Sequence, residues 1–123
     1  MARILLIDDD PMVRHTIRHI LLAEGHDVTI AQEGKTALEL FRSSFFDLVV
    51  TDIIMPEKDG IEIIKEMRGM RGTVRILAIS GGGRIGNTDF LKIAEKLGAD
   101  AVIAKPFDPD DLIQRIDFCL QSH

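Results

Sequence analysis

Tryptophan and tyrosine are absent, and cysteine occurs once, as Cys119. A lone thiol makes no internal disulfide, so the fold must rest on packing, and the composition suits a cytosolic, cytoplasmic setting. No apolar run approaches the roughly 20 residues that a membrane span needs. The first such run, Ile4 to Ile7, is too short for a secretory leader and meets three acids at Asp8, Asp9 and Asp10. Basic residues are outnumbered, 15 against 20 acidic ones, and the net charge of −5 argues against direct nucleic-acid binding, which asks for a basic face. Repeats, low-complexity tracts and linker-like stretches are missing too. What remains is a chain of 123 residues, 46% of them hydrophobic. That is the length of one domain, with enough apolar material for a core without staples. A single domain over residues 1–123 is expected, with too little after residue 120 for a second one.

Taken in order, the chain alternates between two periodicities. Arg3 to Ile7 is a continuous apolar run, the pattern of a strand buried on both faces. Asp10 followed by Pro11 is an N-cap with proline at the first helical position. The first helix carries Val13, Ile17, Ile20, Leu21 and Glu24 on one stripe and stops at Gly25. His26 to Ala31 is a weaker strand, expected at a sheet edge, and a second helix over about Gly34 to Ser43 turns Ala37, Leu38 and Phe41 inward. The third strand starts near Asp47 and ends in Asp52, where Pro56 and Gly60 break the pattern. Gly60 opens a third helix with Ile61, Ile64 and Met67 inside, closed by a turn over 69–72. Val74 to Ile79 is a fourth strand ending at Ser80, followed by the glycine-rich stretch 81–87. A fourth helix is expected over about Thr88 to Leu97, stopped by Gly98, and a fifth strand over Ala101 to Ala104, ending at Lys105 and Pro106. Asp108 and Pro109 repeat the cap signal for a fifth helix reaching about Leu120, with Leu112, Ile113, Ile116 and Leu120 inward.

Five strand–helix alternations imply a doubly wound α/β fold, with parallel strands, right-handed crossovers and helices on both faces. The strands then all point one way. Asp8, Asp9, Asp52, Ser80 and Lys105 share one edge of the sheet, and in a flavodoxin-like order 2-1-3-4-5 the acids meet at the switch point, where such sheets bind ligands. Three carboxylates and one ammonium do not sit together unaided, because like charges raise the carboxyl pKa values. A divalent cation removes the conflict, and oxygen-only ligands suit Mg²⁺, with Mn²⁺ as the alternative. Such an ion neutralises an incoming phosphoryl group, Lys105 adds a second positive charge, and Ser80 can donate to a phosphoryl oxygen. Asp52, as nucleophile, would give an acyl phosphate.

Four stretches together carry a resemblance: Ile7-Asp8-Asp9-Asp10, Asp52 through Met55-Pro56 to Asp59-Gly60, Ser80-Gly81, and Lys105-Pro106-Phe107. In order and approximate spacing they resemble the CheY-like receiver domain of two-component response regulators, over the whole chain. The resemblance implies Asp52 as phosphoacceptor, Asp9 as a direct Mg²⁺ ligand, Asp8 as a ligand mostly through water, and the Ile54 backbone carbonyl completing the protein ligands. It implies Lys105 as the phosphoryl partner, a cis bond before Pro106, and Ser80 as the switch hydroxyl. It also implies a sensor histidine kinase or histidine phosphotransfer protein as donor. In the absence of an output domain, the outlet is a protein contact on the face of the fourth helix, fifth strand and fifth helix, with the chain a monomer or a phosphorylation-dependent dimer. The reading is therefore a signalling switch and not an enzyme acting on an external substrate. Three departures stand out. The usual switch aromatic, three residues before the lysine, is Val102. Gly81 follows the switch hydroxyl, and the loop beyond it is expected to be mobile before phosphorylation. Ile54 and Gly82 stand where the family positions a hydrolytic water, and neither side chain can hold one, so slow self-dephosphorylation is expected.

Plainer assignments compete at several positions. Asp10 is better explained as a helix cap than as a ligand. His15 and His19, four apart, have the spacing of a two-histidine metal site but no third ligand nearby, and are expected to face solvent. Cys119 is a small core or helix-surface residue. A flavin protein of the same fold class would need aromatics to stack on its ring. A Mg²⁺-dependent aspartyl phosphatase would carry a second Asp at the position of Ile54.

Overall fold

The computed structural model describes residues 2–53, 60–80, 96 and 98–121, with residues 60, 61 and 80 by their backbone alone. Five strands, β1 (Arg3–Ile7), β2 (Asp27–Ala31), β3 (Leu48–Asp52), β4 (Arg75–Ser80) and β5 (Ala101–Ala104), alternate with helices α1 (Pro11–Ala23), α2 (Gly34–Ser43), α3 (Gly60–Met70) and α4 (Pro109–Gln121). The strands form one parallel sheet in the order β2-β1-β3-β4-β5. The helix expected over 88–97, residue 96 apart, and the glycine stretch 81–87 lie outside the described residues, so the helix at 109–121 takes the label α4.

Each face of the sheet builds its own core, because successive side chains on a strand point to opposite sides. Ile4, Leu6, Leu48, Val50, Leu77, Ile79 and Ile103 pack against Ile17 and Leu21 of α1 and Leu112, Ile116 and Cys119 of α4. Leu5, Ile7, Val49, Ile76 and Ala78 pack against Ala37, Leu38 and Phe41 of α2 and Ile63, Ile64 and Met67 of α3. β1 and β3 run unbroken in apolar residues because both their faces are covered. β2 sits at the edge, mostly half-buried, as its weaker pattern implied.

Local chemistry sets the element ends. Asp10 caps α1 by accepting from the Met12 N–H at 2.9 Å, with Pro11 at the first helical position. Glu24 ends the α1 stripe as an exposed cap, and Gly25 follows with φ +87°. Three boundaries differ from expectation. α3 runs on through Gly69 and Met70, with the Arg71 N–H donating to the Met67 carbonyl at 2.9 Å, so the turn begins later. Val74 belongs to that turn, and β4 starts at Arg75. β2 starts at Asp27, whose neighbour His26 uses Nδ1 to accept from the Ala2 N–H at 3.1 Å. The inner faces also hold more than the stripes indicated. Ile63 is buried beside Ile64 and Met67, and Cys119 is wholly enclosed, with its thiol pushed up to about 12 chiefly by burial. Ile113 and Leu120 are only half-buried.

Arg68 ties the strand entrances to α3. Its guanidinium donates to the carbonyls of Gly72, at 2.9 Å, Val74 and Gly98, and to Asp100 Oδ2 at 3.0 Å. Asp100 Oδ2 in turn accepts from the Ile76 N–H at 2.8 Å. Gly98 completes this clamp in a conformation other residues avoid, φ +116°, with the place of a Cβ only 3.0 Å from Arg68 Nε. Gly98→Ala is therefore expected to lower stability by about 1–3 kcal/mol through backbone strain and displaced Arg68 bonds. Gly25→Ala, at positive φ with nothing within 4 Å, should cost less. Urea unfolding midpoints of the two variants would check the order.

Candidate functional site

Parallel pairing brings the carboxyl ends of the strands to one edge. Ile7 pairs with Thr51, so Asp8 and Asp52 leave neighbouring strands at matching positions. The chain departs from β1 toward β2 on one side and from β3 toward β4 on the other, which makes this the switch point of the sheet. The Asp52 backbone is held firmly. The Thr51 hydroxyl donates to its carbonyl at 3.1 Å, and the Ile53 N–H donates to the Ile79 carbonyl at 2.9 Å, extending the ladder beyond it.

Asp8 is 0% exposed and Asp52 5%, while Asp9 is open to solvent. Each of the three offers a carboxylate oxygen within 4.8 Å of the others. Lys105, just beyond β5, crosses the end of β4 to reach them. Its Nζ lies 3.0 Å from Asp52 Oδ2 and 3.3 Å from Asp8 Oδ2. Strands lie about 4.8 Å apart, so the span from β5 to β3 is about 10 Å, which asks for a long side chain. Ser80, the last residue of β4, pairs with Ala104 and so sits under that span; its hydroxyl is outside the description.

The charges explain the electrostatics. Burial raises the Asp8 pKa, as does the Asp52 carboxylate, while the Asp10 N–H bonded to Asp8 Oδ1 at 2.9 Å and the nearby Lys105 pull it back less strongly. Burial alone would lower the Lys105 pKa, but its hydrogen bonds to, and charge attraction by, Asp52 and Asp8 outweigh it, so the ammonium is held above its usual range. Three carboxylates against one ammonium leave two formal negative charges. A hard divalent cation suits that charge and that all-oxygen donor set.

Of the residues singled out from the sequence, Asp8, Asp9, Asp52 and Lys105 come together. Asp10 stays a cap, and His15 and His19 are exposed. The Lys105–Pro106 bond is cis. Val102 is half-buried against the α2–α3 core, with its carbonyl accepting from Arg115. Ile54, with the rest of 54–59, and residues 81–87 lie outside the described residues. One participant was missed. Arg14 Nη1 donates to the Asp8 carbonyl at 3.0 Å, pinning the acidic loop to α1. A signal for it existed, because a cation in the first turns of a helix opposes the helix dipole and needs another purpose.

The sequence pattern of the response regulator receiver domain matches residues 4–117, and the chain belongs to this family. It is 36% identical over 124 residues to the transcriptional regulatory protein CpxR of Klebsiella pneumoniae subsp. pneumoniae, a match covering all of this chain and 51% of that protein. It is 35% identical to the response regulator MprA of Mycolicibacterium vanbaalenii, covering 94% of this chain and 48% of MprA. The chain thus spans about half the length of these curated relatives. Among solved structures, the CheY-like receiver domain protein of Methanospirillum hungatei JF-1 superposes with a TM-score of 0.88 at 31% identity, covering 98% of this chain and 94% of that one. Receiver domains are signalling switches of two-component systems, served by histidine kinases. No helix among the described residues is long and apolar enough to cross a membrane.

The raised pKa of Asp8 gives a stability prediction. A folded-state pKa above the unfolded 3.8 means that the native site favours the protonated acid, so Asp8 costs stability as pH rises from about 3.8 through its folded value. Asp8→Asn keeps the acceptor for the Asp10 N–H and removes the buried charge. The metal-free variant should be more stable than the wild type at pH 7, with the gap closing as pH falls toward 3.8. Urea titrations in the presence of a chelator at several pH values would measure it.

Proposed function

We propose that the chain is a receiver domain over residues 1–123 that takes a phosphoryl group on Asp52 from a phosphohistidine of a sensor kinase or phosphotransfer protein, and thereby switches a protein-binding surface. One observation carries this reading: a nearly buried carboxylate at the switch point, in a cluster with Asp8 and Asp9 and held by the Lys105 ammonium at 3.0 Å. An Asp52 oxygen attacks phosphorus, the P–N bond to the donor imidazole breaks, and an acyl phosphate forms while the histidine nitrogen leaves with the electron pair. Lys105, already aimed at Asp52, turns to a phosphoryl oxygen as charge builds there, and Ser80 donates to a second one. Asp9 and Asp52, the Ile54 carbonyl and Asp8 through water would hold Mg²⁺ or Mn²⁺, which when bound supplies the charge neutralisation that lets an anionic nucleophile approach an anionic phosphoryl group.

The chain performs no turnover of its own on an external substrate in this reading. It acts in the cytoplasm, and with Val102 at the position of the switch aromatic the usual aromatic rotamer switch is absent or altered. The outlet is the surface around residues 88–97, β5 and α4, and phosphorylation either leaves the chain monomeric or pairs it through that surface. The net charge of −5 favours a protein over a nucleic acid as the contact of these 123 residues. A link to transcription, such as the name of CpxR carries, would then run through another domain or partner.

Intact mass after incubation with acetyl phosphate tests the acceptor. The wild type should gain one phosphoryl group only with Mg²⁺ present, and Asp52→Asn should gain none. Absence of an adduct on Mg²⁺-loaded wild type, or an adduct surviving in Asp52→Asn, would remove Asp52 from this role. Following the adduct over time checks the hydrolysis rate, for which decay over minutes or longer is expected. Loss within seconds would mean that Ile54 and Gly82 do not slow it.

A further inference from the structure

A single peptide group joins Asp8 to Asp9, two of the three carboxylates of the acidic cluster, and its oxygen is the carbonyl to which Arg14 Nη1 donates at 3.0 Å. Because a peptide is planar, its tilt sets ψ of Asp8 and φ of Asp9 together, and with them how the two side chains diverge. We propose that Arg14 is a positioning residue for the divalent cation of this site. It strengthens binding of the ion by holding the Asp8–Asp9 peptide through a hydrogen bond, in spite of its own positive charge. This role presupposes the ion of the receiver reading and adds to it a residue outside the ligand set.

The residues on either side of Asp9 are anchored. Asp8 is buried, its Oδ1 accepts from the Asp10 N–H at 2.9 Å, and its Oδ2 lies 3.3 Å from Lys105 Nζ. Asp10 accepts from the Met12 N–H through Oδ1 at 2.9 Å and from the Arg14 N–H through its carbonyl at 3.0 Å. Asp9 itself is open to solvent, with two carboxylates of the same sign within 4.8 Å. Repulsion favours turning that exposed group outward, away from the others. It can turn by rotating its side chain or by tipping the peptides that flank it. The Arg14 side chain blocks tipping on the Asp8 side, and its own backbone is fixed to Asp10, so loop and helix brace each other. Ligands ordered by folding need not be ordered again when the ion arrives.

Charge by itself acts in the opposite direction. A guanidinium near a cation site repels the ion, and in the early turns of α1 it also opposes the helix dipole. Arg14 therefore has two effects on metal affinity, and they differ in sign. Groups that orient metal ligands from outside are worth about 10–100-fold in affinity. The repulsion is weakened by the water around Asp9 and by salt, whose screening length is about 8 Å at physiological strength. The hydrogen bond should outweigh the charge.

Mn²⁺ binding to the unphosphorylated chain, with the free ion read by its EPR signal at about 0.15 M ionic strength, tests this. Arg14→Met removes both charge and donor, and should bind Mn²⁺ about tenfold or more weakly. Arg14→Lys keeps a donor and should recover most of the loss. Arg18→Met removes an exposed cation one turn further along α1, and its affinity should be unchanged or slightly higher. Urea unfolding in chelator shows which variants are folded, and a loss of stability alone does not change the affinity of the folded chain. If Arg14→Met does not fold, Arg14→Gln, a shorter neutral donor, replaces it and should bind more weakly than Arg14→Lys. Unchanged or tighter binding in the neutral variant, no recovery in Arg14→Lys, or an equal loss in Arg18→Met would overturn the proposal. A wild type that binds no Mn²⁺, or an Asp9→Asn variant that binds it undiminished, would remove the ion from this site, and so overturn the metal part of the receiver reading as well.

Discussion

One ammonium group reconciles the charges at the carboxyl edge of the sheet. Lys105 lies two strands from Asp52 and three from Asp8, yet touches both. It does so because β3, β4 and β5 are in register, with Asp52 opposite Ile79 and Ser80 opposite Ala104. Two unit charges within 4.8 Å interact by about 3–4 kcal/mol at an effective dielectric near 20. That is a large share of the roughly 5–15 kcal/mol by which a domain of this kind is stable. The acidic pocket is thus strained without counter-charge, and the sheet is what supplies it. A site that gains so much from added positive charge is prepared for ligands that bring or rearrange charge.

The two edges of the sheet differ in their balance of charge. Carboxylates gather where the strands end, at Asp8, Asp9 and Asp52, while Arg68, Arg71 and Arg75 gather where β4 begins. The basic edge has structural uses. Arg68 clamps the carbonyls of Gly72, Val74 and Gly98, and a cation near the last turn of α3 suits the negative end of the helix dipole. Arg71 serves the end of α2 in the same way, donating to the carbonyls of Phe41 and Ser44. The separation keeps the arginines away from Asp52, where they would compete with Lys105.

Much of this was legible in the chain. Unbroken apolar runs at Ile4–Ile7 and Leu48–Val50 marked strands covered on both faces, and the Asp10-Pro11 and Asp108-Pro109 pairs marked the starts of α1 and α4. The acids and Lys105 were legible as strand-end residues because parallel strands share one direction. Arg14 was not, since its role is a bond to a backbone carbonyl six residues back, and periodicity says nothing about such bonds. Neither was the unequal burial of Phe45 and Phe46. Two adjacent phenylalanines look alike in a sequence, and only the docking of α2 and α3 on the sheet buries Phe46 and leaves its neighbour outside.

The sequence by itself determined which residues are strand and helix, which faces are apolar, and that three carboxylates and a lysine end on one edge, because these follow from local periodicity and chain direction. The tertiary structure alone decided which carboxylates are buried and that Lys105 bridges Asp8 and Asp52 over β4. Those outcomes depend on strand order, register and helix docking, which are set by contacts between residues as many as 97 positions apart.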